Sequence, residues 1–217
     1  MAFAVAIIWP CRVSVQEYAA AGRNVEVPRL SCEDCREPLI FWSGYPRFSR
    51  AVGVMLRIWV RRGICSRCGK SHALLPNFVL QRRLDLASTI GIALTRAVTA
   101  GAGQRTIALE LGVPHTTTRE WRRRHRARAP LLAAGFAAMV VAFGGRAVAV
   151  GGSPERTALE ALAAAWWHAR RRFGDGVGET WQFVAAVTGG NWLSTNTTSL
   201  WAGLAATDFI PPEPRPP

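Results

Sequence analysis

The sequence predicts an α+β chain that is β-rich over residues 1–80 and helical beyond them. Three observations lead there. Residues 56–61 alternate, with Leu56, Ile58 and Val60 toward one side and Arg57, Trp59 and Arg61 toward the other, the period of a half-buried strand with a basic, aromatic outer face. Two Cys-x-x-Cys pairs, Cys32/Cys35 and Cys65/Cys68, bracket that strand. From Leu84 the apolar residues Leu84, Ala87, Ile90, Leu94 and Val98 recur near the helical period, and glycines at 101 and 103 end the pattern.

Taken in order, residues 2–30 read as two short strands, Phe3–Trp9 and Asn24–Arg29, around a helical stretch Val15–Ala21 closed by Gly22. The apolar N-terminus has no preceding basic residue and no small-residue cleavage site, so it reads as a strand and not a signal peptide. After the helix at 84–100 comes a trihelical unit to about Ala129, and Pro130 marks a boundary. Leu131–Gly145 carries no charge but is shorter than the roughly 20 residues of a membrane span, so it is expected as a buried core helix. Ser153-Pro154-Glu155 supplies an N-cap, a first-turn proline and a first-turn acid to an Ala-rich helix reaching Phe173. Its closing Arg170-Arg171-Arg172 suits the helix dipole and needs no ligand. A further apolar segment covers Thr180–Val187, and Pro211–Pro217 is expected to be a disordered tail.

The cysteines carry the first chemistry. A Cys-x-x-Cys turn aims two thiolates at one ion, and two such turns, one on either side of the stretch 36–64, complete a tetrahedral shell. Gly69, after Cys68, permits positive φ and lets backbone N–H groups face the sulfurs; Arg36 stands at the equivalent place in the first turn. Structural Zn2+ on Cys32, Cys35, Cys65 and Cys68 is therefore expected. Four thiolates leave no open position for water, which points to folding and not catalysis. Cys11 is left as a buried thiol, and His72 as a surface or supporting residue.

Residues 102–128 carry the second. Ile107, Ala108, Leu111, Val113 and Trp121 fall at the inward positions of a helix-turn-helix, with Gly112 in the turn and Thr118 where an aliphatic residue is usual. With Thr118, Trp121 and His125 inward, Thr116, Arg119, Glu120 and Arg123 project outward, flanked by Thr117, Arg122, Arg124 and Arg126. Arginine bridges guanine edges, threonine meets phosphate or a thymine methyl, and glutamate accepts from cytosine. His115 reads as a turn residue and His125 as a core-edge residue.

Charge follows the same division. The net charge is +13, and all of it lies in residues 1–130, which carry 21 basic and 8 acidic side chains. Only Lys70 among the basic residues is lysine, a bias that codon composition also produces, so the clustering carries the argument and the total does not. The fold class is thus a small β-rich zinc ribbon, a trihelical helix-turn-helix and a helical C-terminal region. The expected domains are 1–80, 81–130 and 131–210, with the tail at 211–217.

The stretch Arg67–Pro76, with its Cys-Gly-x-x-His-x-Leu-Leu-Pro pattern, the cysteine pairs and the helix-turn-helix together resemble a family of bacterial zinc-ribbon/helix-turn-helix proteins. Its members look like the N-terminal DNA-binding halves of insertion-sequence transposases. The resemblance covers roughly residues 1–130 and implies a fold and DNA binding. Glu33 stands where such ribbons often have proline, and Thr118 where they often have valine.

A transposase nuclease needs strands that set three carboxylates around two metals. Beyond residue 130 the acids are Glu155, Glu160, Asp175, Glu179, Asp208 and Glu213, in a segment too small and too helical for that fold. No enzyme activity and no small-molecule substrate are expected. The reading is a sequence-specific binder of double-stranded DNA, a transcriptional regulator or transposon-derived accessory protein. It would be cytoplasmic, on the nucleoid, and homo-oligomeric through its apolar C-terminal half. A degenerate transposase remnant and a membrane-tethered DNA-binding protein are the alternatives.

Overall fold

The computed structural model describes residues 5–146, 152–193 and Trp201. Within them the chain is α+β, with a four-stranded mixed sheet followed by helices. The sheet contains β1 (Val5–Trp9), β2 (Leu39–Ala51), β3 (Val54–Cys65) and β4 (Ser71–Pro76), in the spatial order β1-β4-β3-β2. β1 runs parallel to β4, and the other pairs are antiparallel. The alternation read at 56–61 holds, since Ile58 and Val60 are buried and Arg57 is exposed.

Helix α1 (Val15–Ala21) opens on a reciprocal cap in which Ser14 accepts from the Glu17 N–H and the Glu17 carboxylate accepts from the Ser14 N–H. Its Tyr18 is fully buried and donates to the Trp59 carbonyl at 3.0 Å, which seats the helix on β3. The second strand expected in this region is not formed. Residues 25–30 run without strand pairing, and the neighbouring bridge is Ser31 to Pro38.

Helices α2 (Ala87–Thr99), α3 (Gln104–Leu111) and α4 (His115–Ala142) follow. Gly112 ends α3 in the left-handed region, at φ 65°, and its N–H returns to Ala108 and Leu109. Pro130 does not end anything. It lies inside α4, which continues past it to Ala142, so the basic helix and the uncharged segment are one element. Proline there removes one backbone hydrogen bond at a cost of about 3 kcal/mol. Burial of Ala129, Leu132, Phe136 and Val140 along one stripe offsets that loss.

Helix α5 (Pro154–Phe173) starts at its expected cap, where Ser153 accepts from the Arg156 N–H at 3.3 Å. Helix α6 (Thr180–Val187) completes the core, and Gly91 on α2 leaves the room that the Trp181 ring occupies. The hydrophobic residues form two clusters, one behind the sheet from Ile7 to Leu86 and one in the helices from Leu80 to Leu193. The trihelical unit and the C-terminal helices share the second cluster and are not separated at residue 130. The expected tail at 211–217 lies outside the described residues. Among the described residues no helix is long and apolar enough to cross a membrane.

Candidate metal centre and helical surface

The four cysteines meet. Their sulfurs all lie within 4.8 Å of one another, and none is in a disulfide. A tetrahedral ion with legs of roughly 2.3 Å sets its sulfurs about 3.8 Å apart. Cys32 and Cys68 are at 3.8 Å already. Four soft thiols at this spacing suit a metal ion, and Cys32, Cys35, Cys65 and Cys68 would hold it.

Each pair sits in the same small turn. In the first, the Arg36 N–H donates to the Cys32 carbonyl and the Cys32 N–H to the Glu37 carbonyl, at 2.9 and 2.8 Å. In the second, Gly69 and Cys65 repeat both bonds, to Cys65 and Lys70, at 2.9 Å each. Gly69 has φ 69° and Arg36 has φ 60°, so the arginine accepts the left-handed conformation that glycine takes freely. The turns also bind one another reciprocally. Asp34 meets Lys70 at 2.7 Å, and Arg67 meets Glu37 at 3.8 Å, each joining the third residue of one turn to the sixth of the other.

Electrostatics favour thiolates at the buried corners. Backbone N–H groups of Cys68 and Arg67 bring the Cys65 thiol down to about 7 against a smaller effect of burial. Burial opposes ionisation of Cys32, but bonds from the Cys35 and Asp34 backbone, from His72 and from Cys68 lower its pKa. The Cys35 thiol is pushed up to about 12, first by its hydrogen bond to Cys68, then by burial and by repulsion from the neighbouring sulfurs. His72 is fully buried, with Nε2 3.5 Å from the Cys32 sulfur. It is not a surface residue but a support beside the ligands, the place where a hydrogen bond orients a metal-bound sulfur.

The start of α4 is the other candidate surface. Thr118, Trp121 and His125 are buried, as their spacing required. Thr118 manages its hydroxyl by donating to the Gln104 and His115 carbonyls, at 3.2 and 2.9 Å, which ties α4 to the start of α3. Thr116, Arg119 and Arg123 are exposed along one stripe. Thr117 and Glu120 are half-buried and line, with Arg82, Arg83 and Thr116, a shallow cleft of about 280 Å³.

The flanking arginines have partners within the protein. Arg122 and Arg126 both meet the buried carboxylate of Glu155 at the start of α5, at 3.3 and 3.2 Å. Arg124 donates to the Leu193 carbonyl at 3.2 Å and also pairs with Glu120. Glu120 takes two bonds from Arg123 at 2.7 Å each, and these contacts hold its carboxyl down at about 2. Sequence periodicity placed Arg122 and Arg126 beside the outward stripe correctly, but their shared acid lies on the next helix and no local pattern announces it. In the apolar C-terminal segments that suggested an oligomer, Phe136 and Phe183 are fully buried, while Leu131, Val141 and Trp167 are exposed. Among the described residues, the four cysteines are the sole group of three or more candidate ligands close enough to share an ion. Set against protein-family models, curated proteins and solved structures, the chain matches none.

Proposed function

We propose that this chain binds double-stranded DNA in a sequence-specific manner, reading a major groove with the first half of α4 and carrying structural zinc on its four cysteines. The observation that carries the reading is the exposed stripe Thr116–Arg119–Arg123, raised on a helix that follows a left-handed glycine turn. A helix presented this way fits a major groove, and its N-terminal residues are those that reach base edges. The role is that of a transcriptional regulator or a transposon-derived accessory protein.

The arginines divide by what they touch. Arg119 and Arg123 face solvent, one helical turn apart, and a guanidinium there bridges guanine O6 and N7. Glu120 takes two bonds from the Arg123 guanidinium and so fixes where it sits, and a glutamate at this place can accept from cytosine N4. Arg122, Arg124 and Arg126 fix α4 against α5 and the Leu193 segment, so they aim the reading residues. Arg126 remains exposed enough to meet phosphate as well, its side chain being 64% accessible. The zinc saturates four thiolates, and its contribution is to fold the sheet beside which α4 is mounted.

The experiment is selection of a preferred duplex from a random-sequence pool with the zinc-loaded full chain, followed by binding to that duplex and to a scrambled one. Arg123→Ala should lose roughly 1–3 kcal/mol on the selected duplex, with relaxed preference at one or two bases and little change on the scrambled one. Equal losses on both duplexes would reduce α4 to a cationic surface, and a pool that yields no preferred sequence would end the reading.

A further inference from the structure

We infer that the outer face of the β2–β3 hairpin is a second duplex-DNA contact, gripping the phosphate backbone beside the site read by α4. This inference rests on the DNA-binding reading above. β4 pairs with β3 over Arg61–Ile64, so most of the hairpin extends beyond the rest of the sheet. Its inner side is packed, with Ile58, Val60 and Ser49 buried. Its outer side shows Phe48 opposite Arg57, and Met55 opposite Arg50, with Trp59 and Arg61 further along β3. Phe48, Met55 and Arg57 are exposed.

Charge selects the partner. Residues 38–84 contain nine cationic side chains and no Asp or Glu; on the outer face Arg50 is paired with Asp85, which leaves Arg57 and Arg61 to meet an anion. A second copy would bring the same cations face to face, which like-charge repulsion disfavours. The distal edge of β2 is also occupied. The Arg50 N–H donates to the Leu84 carbonyl at 2.8 Å, and the Leu86 N–H donates to the Arg50 carbonyl at 3.0 Å.

Those bonds matter for geometry too, because they tie the hairpin to the residues that enter α2. The Arg50–Asp85 ion pair at 2.6 Å reinforces them, and the tip at Gly53 rests against Gly112 in the turn before α4. Hairpin and reading helix are therefore mounted together, as a protein needs if one duplex is to touch both. A single strand fits less well. Trp59 lies across Gly44 and is covered by the Arg23 guanidinium 4.6 Å from its ring, so its face is not open for base stacking. What the face offers is guanidinium for phosphate, with Phe48 and Met55 for the sugar edges.

The test uses the zinc-loaded full chain, the selected duplex at about 40 base pairs, and the same duplex trimmed to the roughly 15 base pairs around the preferred sequence. Arg57→Glu should weaken the long duplex about tenfold and flatten its salt slope by one or more, with less than a twofold change on the short one. Phe48→Ala should follow with a smaller loss on the long duplex alone. Equal effects on both lengths, or none on either, overturn the inference; if Arg123→Ala still weakens both lengths, the reading of α4 survives. A pool that yields no preferred duplex removes both. Tighter binding of a single strand of the same sequence, or mass measurements showing a dimer that Phe48→Ala dissolves, also overturns it.

Discussion

The region behind the sheet and the region among the helices are held together by different means. Behind the sheet, Ile7, Trp9, Tyr18, Ile58, Val60, Leu74 and Phe78 form a small apolar cluster that ends at Cys32 and Cys65. The outer face of the long hairpin contributes nothing to it, and Phe48 and Met55 there are exposed. Among the helices, one cluster runs from Leu80 to Leu193 and is filled by aliphatic and aromatic side chains, with no cysteine in it. A core too small to close itself would gain from an ion shared by four thiols, whereas a core with enough apolar surface tolerates a proline in its longest helix. The exposed cationic surfaces proposed to meet DNA sit where these two regions join, each borrowing rigidity from a different one.

Removing the metal should separate the two most sharply. Structural zinc contributes an apparent 10–16 kcal/mol, roughly, to small modules of this kind at neutral pH. Purified protein should carry about one zinc per chain. Cys65→Ser or a strong chelator should melt the sheet, seen as lost β signal and lost near-ultraviolet signal from Trp9 and Trp59, while helical circular dichroism persists. Full zinc retention by Cys65→Ser would refute the ligand set, and loss of the helices along with the sheet would refute the division. Cys11→Ser should leave zinc content unchanged, because Cys11 is buried beside Asn77 and is not one of the four thiols that meet.

The converse break is Phe136→Ala. Phe136 is fully buried, edge-on to Trp201 at 5.4 Å and tilted against Phe183 at 6.3 Å. Its loss should cost about 3–5 kcal/mol of helical stability. Zinc stoichiometry should not change. Thermal unfolding followed at a helical wavelength, with metal content measured in parallel, reads both at once.

The sequence made local features legible and left distant ones hidden. The cap at Ser153 with Pro154 set the start of α5, and Val15–Ala21 was readable from its glycine stop. Both cysteine turns were readable because each is short and closes on itself through its own backbone bonds. Strand β2 was not assigned, since the register shift between Phe41 and Ser43 breaks its alternation. Pro130 suggested a boundary because local cost was visible and the tertiary burial that offsets it was not. The same blindness applied to Glu155, which recruits Arg122 and Arg126 across a helix pair, and to His72, whose partner Cys32 lies far back in the chain.

The smallest expected effect concerns His125, where α4 meets the helical core. It is fully buried, with Nε2 3.3 Å from the Glu155 carbonyl and its ring edge-on to Trp192 at 6.2 Å. Burial lowers its pKa, and the Glu155 carbonyl and carboxylate only partly restore it. The unfolded chain therefore binds a proton near its ordinary pKa of about 6.5 that the folded chain refuses. The helical core should keep its full stability above that pH and lose some as pH falls below it, until the folded His125 itself protonates. Denaturant unfolding at a series of pH values, followed on the helices, should show that decline, and His125→Phe should flatten it. A decline of the same size in the variant would place the proton uptake elsewhere. Because Glu155 also holds Arg122 and Arg126, loosening at this point should tilt α4, so the selected duplex should be bound less tightly over the same pH interval.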